Sequence, residues 1–124
     1  MQGNEYQKLA MRTNDYKGME RVCTFSDENG NATTGGLLNG ALGLTGESGE
    51  VADIIKKGIF HEKGIDTEHL KKECGDVLWY LAMICESAGF TLDDVMEENV
   101  NKLIARYPDG FDTYRANNRK EGDI

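Results

Sequence analysis

Two stretches decide the fold: residues 37–59, LLNGALGLTGESGEVADIIKKGI, and residues 67–88, TEHLKKECGDVLWYLAMICESA. In the second, Leu70, Cys74, Val77, Leu81, Ile84 and Ala88 step by four, three, four, three and four residues. That period draws one apolar face along an α-helix. In the first, Leu38, Leu42, Thr45, Val51, Ile55 and Ile59 recur at helical spacing. Gly40, Gly43, Gly46 and Gly49 interrupt it, each costing about 1 kcal/mol against Ala in a helix interior. Their presence predicts close backbone approach on that side, or a local kink. Gly64, Asp66 and Thr67 mark a turn and an N-cap between the stretches. So short a turn makes the two long helices antiparallel neighbours.

Further along, Gly89 is placed to end the second long helix as a C-cap. Thr91, with Asp94 three residues on, opens another helix through a capping-box pattern. Its stripe is Leu92, Val95, Met96, Val100, Leu103 and Ile104, and it stops at 106 or 107, ahead of Pro108. Pro108-Asp109-Gly110 is a turn, 111–119 a last short helix, and 121–124 a frayed tail. Upstream, Tyr6, Leu9 and Ala10 predict a short helix over 4–13. Residues 14–36 read as loop, since Asp27, Asn29, Gly30, Gly35 and Gly36 are turn formers.

The expected fold is therefore all-α, a bundle with two long antiparallel helices. Its apolar stripes bury more when a second copy completes the bundle, so completion by dimerisation is expected. One domain spans 1–124. It divides into an N-terminal helix and loop (1–36), a helical core (37–111) and a C-terminal segment (112–124).

The chain holds 14 Lys plus Arg and 22 Asp plus Glu, a formal net charge of -8. That balance argues against a nucleic-acid polymer as partner, and against adhesion to an anionic membrane surface. No run reaches transmembrane length, and residues 1–20 carry no apolar signal core. Cys23, Cys74 and Cys85 are odd in number and lack C-x-x-C spacing, and neither His61 nor His69 completes a zinc site with them. Reduced thiols and a cytoplasmic location are expected, with Cys74 and Cys85 in the core.

The chemistry gathers at Glu47-x-x-Glu50 and Glu73-x-x-Asp76, one pair on each long helix. Residues three apart share a helix face. Glu50 and Asp76 each lie 13 residues from Lys63, near the turn. In an antiparallel hairpin all four acids then fall within about two turns in height. Four carboxylates raise one another's pKa unless a cation joins them. All-oxygen ligation with room for waters suits Mg²⁺, with Mn²⁺ as a substitute. The opposing reading is a solvated acidic face, and spacing leaves the two in balance. Asp53 continues the line as a further ligand or a surface residue. Lys57 lies seven residues after Glu50, where its ammonium reaches a phosphate tail or simply solvates a helix end. Tyr80 lies one turn after Asp76 and can stack on a base. Trp79 reads as core or dimer packing. Asn99, Lys102 and Arg106 form one polar, cationic stripe on the next helix.

The run Gly43-Leu44-Thr45-Gly46-Glu47-Ser48-Gly49-Glu50-Val51-Ala52-Asp53, then Lys56-Lys57, then Glu73-Cys74-Gly75-Asp76-Val77-Leu78-Trp79-Tyr80-Leu81, resembles the MazG-type all-α nucleoside triphosphate pyrophosphohydrolases. Asn99-x-x-Lys102-Leu103 and Arg106-Tyr107-Pro108-Asp109-Gly110-Phe111 continue the likeness, which spans about 38–111. It departs at Gly46, where many relatives carry an acid, and at Cys74, where many carry Leu. Neither departure removes a candidate ligand. The resemblance implies Mg²⁺-dependent hydrolysis of a nucleoside triphosphate to its monophosphate and pyrophosphate, in a groove formed by the helices of a homodimer, sometimes doubled to a homotetramer. It implies Glu47, Glu50, Glu73 and Asp76 as metal ligands and catalytic residues. It also implies Asn99, Lys102 and Arg106 as phosphate contacts. A phosphoribosyl-ATP pyrophosphohydrolase shares these helices and this metal logic. A non-catalytic bundle binding nucleotide or protein is the alternative from another class. A di-iron bundle needs E-x-x-H on two helices, and the chain offers only Asp66-x-x-His69.

Overall fold

The computed structural model describes residues 2–14, 16–22 and 34–122. Cys23, the turn formers of 23–33 and the last two residues of the expected tail lie outside them. Every regular element among the described residues is helical. α1 spans Gly3–Ala10 and runs into a 3₁₀ turn, Met11–Thr13; α2 is Tyr16–Arg21. α3 is Thr34–Phe60, α4 Thr67–Ala88, α5 Leu92–Arg106 and α6 Thr113–Asn117. Residues 14–36 are thus not loop throughout. Tyr16–Arg21 forms a helix, and α3 begins before Leu37. Turn-forming residues 27–36 masked a preceding run, YKGMER, that contains a single glycine.

The helix ends follow their local chemistry. Asp66 caps α4, its carboxylate accepting from the backbone N–H groups of Glu68 and His69 at 3.1 and 3.0 Å. Gly89 closes α4 in the left-handed region at φ 82, its N–H donating to the Cys85 carbonyl. Thr91 and Asp94 form a reciprocal capping box at the start of α5. Within α3, Thr45 and Ser48 return their hydroxyls to the Ala41 and Leu44 carbonyls at 3.0 and 2.6 Å, so these polar groups stay bonded without ending the helix.

α3 and α4 form the antiparallel hairpin and supply nearly all the helix–helix packing, while α5 meets α4 only briefly. Close approaches fix the register. A Cβ at Gly40 would lie 2.6 Å from Ile84 Cγ1, one at Gly43 would overlap the Tyr80 ring, and one at Gly58 would meet the Gly64 carbonyl at 2.9 Å. At Gly46 and Gly49 a Cβ would meet nothing within 4 Å. Close approach therefore accounts for Gly40 and Gly43 and not for the other two. The turn places Glu62 at φ 53 and Gly64 at φ 71, both left-handed.

The apolar stripes do not all face inward. On α3 the partly buried line runs Gly40, Leu44, Glu47, Val51, Ile54, Gly58. Leu38, Leu42, Ile55 and Ile59 of the expected stripe are exposed. α3 is apolar on two sides, and the pattern alone does not say which side meets α4. On α4 the line passes through Glu73 rather than Cys74, and Cys74 is exposed while Cys85 is buried. The expectation of a core Cys74 is corrected accordingly. Trp79 is 58% exposed, so it is not core within one chain. The α5 stripe is also open: Val95, Met96, Val100, Leu103 and Ile104 are all exposed. Cys85 is the sole buried hydrophobic side chain among the described residues.

Candidate metal centre

The register that seats Gly43 on Tyr80 brings Glu47, one turn further, to the height of Glu73 and Asp76. One carboxylate oxygen from each of Glu47, Glu73 and Asp76 lies within 4.8 Å of the other two. Glu47 and Glu73 sit on the facing sides of the helices and are partly buried; Asp76, three residues from Glu73, opens to solvent on the flank. Glu47 is held above the ordinary carboxylate value. Partial burial is the first cause, followed by the charges of Asp76 and Glu73, a hydrogen bond with Glu73, and the charge of Glu50. Three carboxylates converging this closely, one of them held above its ordinary value, are a donor set for a hard cation. Oxygen ligands with a solvent-open side fit Mg²⁺ or Mn²⁺, which keep several waters.

Glu50 is not among the three. Three residues from Glu47 on the helix, it points to the exposed side of α3, yet its charge still acts on Glu47. Asp53 does not join the acids either. It forms an ion pair with Lys57 and a longer contact with Lys56 at 3.6 Å. The Lys57 hydrogen bond is the main reason that the Asp53 carboxyl lies below its ordinary value. The same bond raises the Lys57 ammonium, with a smaller push from the Glu50 charge. Lys57 is thus tethered to Asp53 at its own helix end, within reach of the Glu50 charge.

Tyr80 is placed in the α3–α4 contact. Its ring lies on Gly43, where no side chain intervenes, and meets Trp79 edge-on at 4.9 Å between centroids. Asn99, Lys102 and Arg106 lie on α5, and none of the charges acting on Glu47 comes from that helix.

One interaction is absent from the sequence-based expectations. His69 Nε2 lies 2.9 Å from Glu73 Oε1, with Glu73 only 16% exposed. Its signal is an i,i+4 pair on one helix face, whereas the sequence pattern tested this histidine only as a metal ligand, by zinc and di-iron spacing.

Comparison with known proteins matches the sequence that builds this site to a family. The model of the MazG nucleotide pyrophosphohydrolase domain matches residues 37–111, the span that carries both acid pairs and the α5 stripe. The Gene 37 protein of Mycobacterium phage L5 is 35% identical over 88 residues, covering 68% of this chain and 77% of that protein. No solved structure matches. With the matched span running through the α3–α4 hairpin and its three converging carboxylates, the chain belongs to the MazG nucleotide pyrophosphohydrolase family.

Proposed function

We propose that the protein is a Mg²⁺-dependent hydrolase that converts a ribo- or deoxyribonucleoside triphosphate to its monophosphate and pyrophosphate. The observation that carries this reading is the convergence of Glu47, Glu73 and Asp76, with Glu47 held above the ordinary carboxylate value by its neighbours. These three carboxylates would hold the metal, with Mn²⁺ able to substitute. When bound, the cation supplies charge neutralisation for the transferring phosphoryl group and acidifies a water ligand. Glu50 stands next to Glu47 on the exposed side and is the acid available to take the proton of the attacking water. Lys57, Asn99, Lys102 and Arg106 are assigned to the phosphate chain. Tyr80, seated on Gly43, sets the spacing of the two helices at the acids and presents a ring edge beside them for the base.

A single chain leaves too much apolar surface open to stand alone. Leu38, Leu42, Ile55 and Ile59 on α3, Trp79 on α4 and the α5 stripe are all exposed. Contiguous faces of that kind mark interfaces, and a second copy of this chain offers the same faces in return. The working form is therefore a homodimer, whose partner brings an α5 stripe to each acidic cluster. No helix among the described residues is long and apolar enough to cross a membrane. The exposed thiol of Cys74 fits a reducing, cytoplasmic setting.

The test is to incubate the protein with Mg²⁺ and a panel of nucleoside triphosphates, and to separate pyrophosphate from orthophosphate. Monophosphate with pyrophosphate is expected. Orthophosphate alone, or no turnover on any nucleotide, refutes the reading and leaves a binding bundle.

A further inference from the structure

The Glu73 carboxylate is held from outside the acidic cluster, by a chain of contacts that starts at the cap of α4. Asp66 accepts from the backbone N–H of His69 at 3.0 Å, which fixes the backbone at His69 in the first turn of the helix. Glu73 stands four residues on, along the same face. His69 Nε2 reaches Glu73 Oε1 at 2.9 Å. An ionised carboxylate only accepts, so toward it the ring nitrogen donates. The cap places the imidazole, and the imidazole places the carboxylate.

The two partners do not stand alike. The His69 side chain is 55% exposed and that of Glu73 16%. The ring keeps its water, while the acid has lost most of its own and depends on protein partners. Across the helices Glu73 shares a hydrogen bond with Glu47. Among the described residues, His69 is the sole hydrogen-bond donor to Glu47, Glu73 or Asp76 from outside the cluster. A glutamate on a helix has several side-chain torsions to fix. The charges of the other two acids push this one away from them. A donor behind Glu73 opposes both tendencies. His69 does not itself join the donor set, because the mutually close atoms belong to Glu47, Glu73 and Asp76. It acts through Glu73.

We infer that His69 is a positioning residue: by donating from Nε2 to Glu73 it holds that carboxylate facing Glu47 and Asp76, and so sets the affinity of the cluster for a divalent cation. The inference rests on the proposed metal centre and on no step of the hydrolysis. A plain helix-stabilising pair is the rival role. It would move the melting temperature and leave cation affinity alone.

The experiment titrates Mn²⁺ into the full chain, stripped of metal with chelator and free of nucleotide, at one fixed pH. Free Mn²⁺ is counted by its electron spin resonance signal. His69→Ala should weaken binding by about tenfold or more, the usual loss when a bond to a metal ligand is removed. His69→Gln should restore most of the affinity, because the Gln amide nitrogen lies as many bonds from Cα as Nε2 does. His69→Asn stops one bond short and should bind as weakly as His69→Ala. His61→Ala, at the exposed turn, should match the wild type. Circular dichroism on the same samples checks that the helices persist. Unchanged affinity in His69→Ala, Gln no better than Ala, or an equal loss in His61→Ala overturns the inference. So does a nitrogen coupling in the spin-echo spectrum of bound Mn²⁺, which would make His69 a ligand. Those outcomes leave the metal centre standing as long as Glu73→Gln loses binding. No Mn²⁺ binding by the wild type, or equal binding by Glu73→Gln, refutes the metal centre and this inference with it.

Discussion

The same substitution at two glycines of α3, three residues apart, should change stability in opposite directions. At Gly46 a Cβ meets nothing within 4 Å. Gly46→Ala therefore gains helix propensity alone, about 0.8–1 kcal/mol. At Gly43 the Cβ would overlap the Cδ1, Cε1 and Cζ positions of the Tyr80 ring. Tyr80 must then leave its seat or the helices must part. Forcing an extra methyl into a packed contact costs about 1–3 kcal/mol, against the same propensity gain. Gly43→Ala should be destabilised by about 1 kcal/mol, so the two variants differ by about 2 kcal/mol. For a chain of this length that separates their Tm values by roughly 8 °C. The assay is helix melting by circular dichroism at one fixed protein concentration, because association shifts the apparent Tm. A coupled variant sharpens it. With Tyr80→Ala already present the obstruction is gone, and Gly43→Ala should become stabilising. If Gly43→Ala stabilises in the presence of Tyr80, or destabilises in its absence, the close approach of α3 and α4 at this point is wrong.

Other expectations rest on the same geometry. Glu47→Gln, Glu73→Gln and Asp76→Asn should each weaken Mn²⁺ binding by at least about tenfold and abolish turnover at unchanged helix content. Glu50→Gln should lose turnover while keeping Mn²⁺ affinity; wild-type activity in this variant removes Glu50 from the proton-transfer role. Asp94 sits below its ordinary value of 3.8, held there first by the Thr91 hydroxyl and then by the Thr91 backbone N–H. A depressed carboxyl contributes stability that is present above pH 3.8 and lost as pH falls through its folded value. Thr91→Ala should cost about 1 kcal/mol near neutral pH and flatten that acid limb of the stability profile. Val100→Asp, placed in the open stripe of α5, should shift light scattering from dimer to monomer and abolish turnover; a wild-type protein that is already monomeric contradicts the shared groove.

Apart from Tyr16–Arg21, which had read as loop, helix existence was legible because it depends on local period and local chemistry. The 4-3-4-3-4 step of α4, the Asp66 cap, the Gly89 terminus and the Thr91–Asp94 box all act within a few residues of chain. So was the short turn that makes α3 and α4 antiparallel, and with it the approach of two acid pairs. Which side of α3 faces α4 was not legible. Apolar residues line two of its sides, and the choice fell to Gly40 and Gly43, whose missing side chains admit Ile84 and Tyr80. That choice rotates Glu47 into the contact and Glu50 out of it, since three residues on a helix turn a side chain by about 60° from its predecessor's direction. It also carries Glu73 inward and leaves Cys74 outside. Local pattern determined the helices and the kind of chemistry they carry. Packing between helices distant in sequence decided which three acids meet.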